Sequence, residues 1–372
     1  MKRIGNIYEK LIDKDNILAA IKKASAGKRH RESVQRVLAD IPGHVDQIHI
    51  LLKDKTYKPC RVQEKMVREG ARQKERRITT IKFFPDQIIH WCAVLQIQGA
   101  IMKSAYQLSC GSMPGRGTHY ARNFVARWMQ RDRRNTKYVA KLDISKFYQS
   151  IPHEQVKASL RRKFKDADLL WLLDCIIGHW SRDKKEQNKT GLPIGFLTSQ
   201  WFANLLLQPI DYRIKQDLGA KYYVRYMDDM LIFGRNKKQL HRITRDVSAQ
   251  LAGVGLKLKS NWQIFQSEAR PVDFMGFRFH QGKITLRRSL MLRITRRCRK
   301  VSKKHNPGPH ESSSVLSYMG WIKHSDSHGM FNRRIKPFIN IKKAKQCVSA
   351  ACKAASQITK GNTNENCAIG IA

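Results

Sequence analysis

The chain has 372 residues, 41% of them hydrophobic, with 72 Lys and Arg against 29 Asp and Glu, a formal charge of +43. That hydrophobic content excludes a disordered basic tail, and the length allows two or three domains. The charge requires a polyanionic partner, and the aromatic residues suffice both to build cores and to stack on bases.

Residues 7–57 read as helices broken near Gly27 and at Pro42-Gly43, with Ile17, Leu18 and Ile21 on one face and Ile48, Leu51 and Leu52 on another. Residues 74–84 are β-branched and aromatic, hence strand-like, and Pro85-Asp86 opens an apolar helix reaching about Ala105. Residues 109–119, rich in Gly and Ser, read as a loop, and a helix follows to about Gln130. A short strand over 138–142 ends at Asp143, and a helix starts near Pro152. Residues 181–190 form a polar connection, and 191–195 form a turn into an apolar helix reaching about Pro209. Residues 222–233 read as two apolar strands meeting at Asp228-Asp229, and a helix then ends near Gly253-Val254-Gly255. Residues 273–279 are strand-like. Beyond 285 the chain is basic and helical, with Leu286, Leu290, Ile294 and Val301 as a thin apolar stripe.

No stretch approaches the roughly 20 apolar residues of a spanning helix, and the first residues lack the apolar segment of a secretory signal. The eight Cys are scattered without zinc-ligand spacing, so reduced cytosolic thiols are expected.

Adjacent acids at a turn are commonly just solvated. Here the flanks of Asp228 and Asp229 are nearly uncharged, and Asp143 ends another apolar strand. Two strand-tip carboxylates adjacent in one sheet can hold two Mg²⁺ about 3.5–4 Å apart, the arrangement that stabilises both oxygens in phosphoryl transfer.

Lys141-Leu142-Asp143-Ile144-Ser145-Lys146-Phe147-Tyr148 resembles the first palm motif of reverse transcriptases. Gly191-Leu192-Pro193-Ile194-Gly195-Phe196-Leu197-Thr198-Ser199-Gln200 resembles the second, Tyr226-Met227-Asp228-Asp229 the third, and Phe274-Met275-Gly276-Phe277 the primer grip. Ile194 stands where most reverse transcriptases have Gln. That Ile with Ser199-Gln200 is similar to the enzymes of diversity-generating retroelements, as are Gly27-Lys28-Arg29-His30-Arg31 and residues 317–324. Such enzymes copy a template-repeat RNA with errors at adenines, and the cDNA replaces a variable repeat in a target gene.

The resemblance implies an α/β (α+β) right-hand polymerase with fingers, a ferredoxin-like palm and a helical thumb. It divides the chain into an N-terminal helical extension (1–57), fingers (58–137), palm (138–280, with finger or palm helices over 150–190), a basic helical thumb (281–360) and a disordered tail (361–372). It makes Asp143, Asp228 and Asp229 catalytic, with Asp143, Asp228 and the Ile144 carbonyl as ligands of two Mg²⁺, Mn²⁺ being the alternative ion. Lys74, Arg76, Tyr148, Ile194, Gly195 and Gln200 are implied to meet the incoming nucleotide, and Arg77 could serve in place of Lys74 or Arg76. Phe274, Met275 and Gly276 would grip the primer. Arg287, Arg288, Arg293, Arg296 and Arg297 would hold nucleic acid through its phosphates. A Lys expected after the palm helix has Lys257 and Lys259 near it, with Asn261 at the aligned position. Implied partners are the template-repeat RNA, the RNA/cDNA duplex, dNTPs and an accessory variability determinant protein, a small basic helical oligomer, with no membrane. The implied setting is the cytoplasm, with a bacterial, archaeal or phage gene. Within the class, the alternatives are a retron, group II intron or defence-type reverse transcriptase. Outside it, the alternative is a catalytically silent RNA-binding scaffold.

Overall fold

The computed structural model describes residues 3–69, 74–182, 189–304 and 306–365, and for Arg68, Glu69, Lys74 and 354–365 the backbone alone. The chain divides into two compact units, Met1–Ala121 with Asp132–Gln266, and Arg122–Arg131 with Ser267–Ala372.

The first unit opens with α1 (Tyr8–Ile12), α2 (Lys14–Ser25), α3 (Glu32–Ala39) and α4 (Ile41–Lys53). Gly27, at φ +70°, marks the expected break after α2. The break expected at Pro42-Gly43 falls just before it, at Asp40 between α3 and α4. Pro42 sits in the first turn of α4, where its missing N–H leaves nothing unpaired, and Asp40 caps that turn by accepting from the Gly43 N–H at 3.0 Å.

The hairpin β1 (Gln63–Glu69) and β2 (Lys74–Thr80) pairs antiparallel, Gln63 opposite Thr80. The expected strand over 74–84 ends earlier, at Thr80, and 83–87 winds into a wide turn ahead of α5 (Ile88–Ser104). β1 escaped the sequence reading because its residues are mostly charged and exposed, leaving no apolar alternation.

A five-stranded sheet follows in the order β3-β5-β6-β4-β7. Its strands are β3 (Ser109–Cys110), β4 (Tyr138–Asp143), β5 (Tyr222–Tyr226), β6 (Asp229–Gly234) and β7 (Gln263–Gln266). β3 lies inside the expected loop and pairs parallel with β5 over two residues, and the other pairings are antiparallel. Met230, Leu231, Ile232 and Phe233 are all buried, as in a strand covered on both faces. Between the strands run α6 (Thr118–Arg131), which from Arg122 on belongs to the second unit, and α7 (Phe147–Ser150), α8 (His153–Lys163), α9 (Ala167–Gly178), α10 (Leu197–Tyr212) and α11 (Lys237–Gly253). α11 packs on β4 and β6, while α10 packs on α5 and α8 and is buried along most of its length. Asp166 caps α9 and also accepts from the N–H groups of Ile7 and Tyr8, tying α1 to this core.

The second unit holds a three-stranded sheet, β10-β9-β8, made of β8 (Val272–Phe274), β9 (Phe277–His280) and β10 (Lys283–Leu286). Its helices are α12 (Arg288–Ser302), α13 (Pro309–Lys323), α14 (His328–Arg334) and α15 (Ile341–Glu365). The palm was expected to reach 280, but the unit boundary falls at Gln266, because β8 and β9 pair with β10 and not with the five-stranded sheet. The tail expected to be disordered from 361 is helical to Glu365, and 366–372 lie outside the described residues.

Candidate active site

Asp143 closes β4 and Asp229 opens β6, and the two are register partners. Asp228 belongs to the two-residue turn between β5 and β6, where Met227 adopts φ +56°. The sheet thus gathers all three acids at one end, as the strand-tip reading requires.

One oxygen of Asp143, Oδ1, is buried without a partner, and Oδ2 is ion-paired with the Lys259 ammonium. Burial raises the pKa of Asp228, and the neighbouring Asp143 raises it further. A cation between these carboxylates would satisfy the unpaired oxygen and relieve both effects on Asp228. Among the described residues no three His, Cys, Asp or Glu side chains converge as a metal cluster. Mg²⁺ does not need one, since waters, carbonyls and substrate phosphates complete its octahedron around one or two carboxylates. The pair therefore fits a divalent ion. Ile144 is buried beside it in a bridge to Leu258, where the Ser145 N–H donates to the Lys257 carbonyl and the Lys259 N–H to that of Asp143, each at 2.8 Å. The same bridge delivers Lys259 to Asp143, a contact the sequence reading did not foresee.

Tyr148 is half-buried, and burial first and Asp228 second raise the pKa of its hydroxyl. Its carbonyl accepts from the Leu192 N–H at 2.6 Å, and the Ile151 carbonyl from the Gly191 N–H at 2.7 Å. His153 Nε2 lies 2.8 Å from the Gly191 carbonyl. The 191–195 loop is thereby laid along 148–153. On its other side the Ile194 carbonyl accepts from the Thr79 N–H of β2 at 2.8 Å. Gly195 has φ +124°, and a Cβ there would lie 2.2 Å from the Thr79 carbonyl oxygen. The close approach that demands glycine is thus to β2, whereas the sequence reading assigned it to the nucleotide.

Ile194 faces a cavity of about 320 Å³ shared with Thr79, Gln149, Trp180, Arg182 and Arg77. Arg77 lines it, while Arg76 is exposed and, by strand alternation, directed to the opposite face of β2. Lys74 opens β2, but its side chain lies outside the described residues. Gln200 is half-buried near the start of α10. The structure therefore gathers Ile194 and Gly195 against β2, and of Arg76 and Arg77 it is Arg77 that lines the cavity beside them.

In the second unit, Phe274 is fully buried and ends β8. Met275 (φ +50°) and Gly276 (φ +87°) form a tight hairpin turn into β9 of the kind that needs two positive φ values. A Cβ on Gly276 would press on the Trp321 ring at 3.0 Å, and its carbonyl accepts from the Arg287 N–H at 2.8 Å. Arg287 also donates from Nε to Asp273 at 2.8 Å, so its charge braces this hairpin and is not free as expected for a phosphate contact. α12 buries Ile294, Thr295, Cys298 and Val301 and leaves Arg288, Arg293 and Arg296 exposed. Arg297 is half-buried and donates to the Ser314 hydroxyl at 2.7 Å.

Residues 73–279, more than half of the chain, match the family model described as reverse transcriptase (RNA-dependent DNA polymerase). The chain belongs to that family. The reverse transcriptase is also similar to the retron Ec73 reverse transcriptase of Escherichia coli, 25% identical over 225 residues, which cover 55% of this chain and 68% of that one. It is an RNA-directed DNA polymerase, using an RNA template and dNTPs, and enzymes of its family generally depend on a divalent metal. No helix among its described residues is long and apolar enough to cross a membrane.

Proposed function

We propose that this reverse transcriptase copies a template-repeat RNA into adenine-mutagenised cDNA within a diversity-generating retroelement. In this reading the first unit carries fingers and palm and the second a thumb. Asp143 and Asp228, with the Ile144 carbonyl, hold two Mg²⁺, and Asp229 is the third acid. Bound Mg²⁺ supplies charge stabilisation for the attacking and leaving oxygens. The chain's own part is to hold the carboxylates at adjacent strand ends, to orient the nucleotide through Tyr148, Ile194, Gln200 and Arg77 of β2, and to brace the duplex. Phe274, Met275 and Gly276 serve as the primer grip, and Arg288, Arg293 and Arg296 as phosphate contacts. The accessory variability determinant protein that the resemblance implies is the expected protein partner.

The observation that carries the catalytic reading is the register pairing of Asp143 with Asp229, next to an unpaired Asp143 oxygen. Ile194 carries the mutagenic reading: it lines the cavity beside β2 and offers no hydrogen bond where most relatives have Gln. A second reading, a retron-type enzyme, is favoured by the similarity to the retron Ec73 reverse transcriptase. Copying a defined RNA in vitro and sequencing the cDNA separates the two. Errors concentrated at template adenines support the retroelement reading, and errors spread evenly over the four bases overturn it.

A further inference from the structure

Among the described residues the largest fully buried side chain is a charged one, Arg225, in β5 two residues before Met227. A buried guanidinium requires partners for all of its donors. Nε and Nη2 donate to the two oxygens of Asp211, at 2.7 and 2.6 Å, and Asp211 lies buried in α10. Nη2 also donates to the Ser109 hydroxyl at 2.6 Å, and Nη1 to the Asn204 side-chain oxygen at 3.0 Å. Nη1 has one more acceptor, the Met227 carbonyl at 2.9 Å.

That last contact lies in the turn that presents Asp228. Met227 is a non-glycine residue at φ +56°, a conformation that persists only where its surroundings impose it. Its N–H donates to the Cys110 carbonyl at 3.0 Å, and a Cβ on the neighbouring Gly111 would lie 2.9 Å from the Met227 side chain. Asn204 donates to the Gly111 carbonyl at 3.3 Å, so the group that braces Arg225 also braces the floor under Met227. The peptide linking Met227 to Asp228 is thus oriented by a guanidinium that is itself fixed by a carboxylate on α10.

We propose that Arg225 is a positioning residue for Asp228: anchored by Asp211, it holds the Met227 carbonyl and so sets the direction of the Asp228 carboxylate toward the metal ions. The inference rests on the reading of Asp228 as a metal ligand. Arg225 acts on the reaction only through the turn, since Asp211, Ser109, Asn204 and Met227 together engage every N–H of its guanidinium and leave no donor for substrate.

A variant that removes only one partner leaves a buried charge and is destabilised for that reason alone. The informative variant replaces the network with apolar groups, Arg225→Met, Asp211→Leu and Tyr223→Phe together, because the Tyr223 hydroxyl also donates to Asp211 at 2.7 Å. Substitution of a buried ion pair by apolar residues of similar volume leaves no unpaired charge, so this chain should fold, with its melting temperature lowered only by the Ser109, Asn204 and Met227 acceptors that lose their donor. Binding of Mn²⁺ alone, followed by loss of the free-ion paramagnetic resonance signal, should weaken by about two- to tenfold, the range one hydrogen bond covers. In the Mg²⁺ reaction kcat should fall while the KM for dNTP stays unchanged. Arg225→Lys, which keeps the charge beside Asp211 but lacks the fork, should show the same defect and decides the matter if the triple variant does not fold. Wild-type Mn²⁺ binding and kcat in either folded variant overturn the proposal. Failure of both to fold overturns it too, since the pair then serves the fold as a whole. Asp228→Asn in the same titration keeps the two readings apart. If it binds Mn²⁺ like the wild type, the metal reading fails. If it loses Mn²⁺ while the triple variant keeps it, only the role of Arg225 fails.

Discussion

Replacing Gly195 by Ala tests how the 191–195 loop is held. The new Cβ would sit 2.2 Å from the Thr79 carbonyl oxygen, more than 1 Å inside ordinary contact, and φ +124° is closed to L side chains. Forcing such a backbone costs about 1–3 kcal/mol. If the loop lifts instead, the 2.8 Å hydrogen bond from Thr79 to Ile194 is lost, about 0.5–1.5 kcal/mol. Whichever way the clash is relieved, the destabilisation lies at roughly 0.5–3 kcal/mol. For a unit of this size that lowers Tm by at least about 1 °C. Because the lifted loop carries Ile194 away from β2, the KM for dNTP should rise while RNA affinity is retained. Gly99→Ala is the matched control. It lies exposed in α5 with nothing within 4 Å of its added Cβ, so it should leave Tm unchanged or raise it by the equivalent of about 0.5–1 kcal/mol. Thermal melts and steady-state incorporation on both variants decide the matter. A Gly195→Ala enzyme with wild-type Tm and KM would refute the argument.

The logarithm of RNA affinity should fall linearly with the logarithm of salt, and changing Arg288, Arg293 and Arg296 to Ala should lower that slope by about 2–3, with an unchanged slope placing the RNA elsewhere. His90 is fully buried beside the Thr198 hydroxyl at 3.1 Å, and burial pushes its pKa from 6.5 down to about 3. Below pH 6.5 the unfolded chain takes up a proton that the folded chain refuses, so stability from this group is lost as pH falls toward 3, about 2 kcal/mol by pH 5. His90→Asn should show a correspondingly shallower loss between pH 7 and 5 in denaturant titrations, and an equal slope would contradict the burial argument. Ile194→Gln should reduce misincorporation opposite template adenine by about two- to tenfold with activity retained, the worth of one hydrogen bond to the nucleotide. Unchanged adenine errors in an active variant would make Ile194 a packing residue.

The acid-bearing strands were legible because their flanks are apolar and nearly uncharged, which is the condition for burying β5 and β6. α10 and α11 were legible for the same reason, through apolar faces closed by recognisable ends. β1 was not, since an exposed hairpin needs no alternation. β3 was hidden in a Gly- and Ser-rich segment, where two residues pair with β5 only because the rest of the sheet is in place. The reach of Lys259 to Asp143 depends on a bridge between residues 144 and 258 that no local pattern announces. Arg225 had a signal that could have been used: one charge inside an otherwise uncharged strand, and one acid, Asp211, inside an apolar helix. Two such misfits in elements meant for the core imply each other.

The most direct test is extension of a primer on an RNA template with Mg²⁺, by the wild type and by Asp228→Asn in parallel. The wild type should make cDNA. The variant should fold and bind RNA as the wild type does while losing nearly all incorporation, since it keeps the shape of the turn and removes the charge that holds the metal. Extension by Asp228→Asn at the wild-type rate would contradict the assignment of Asp143 and Asp228 as the catalytic pair.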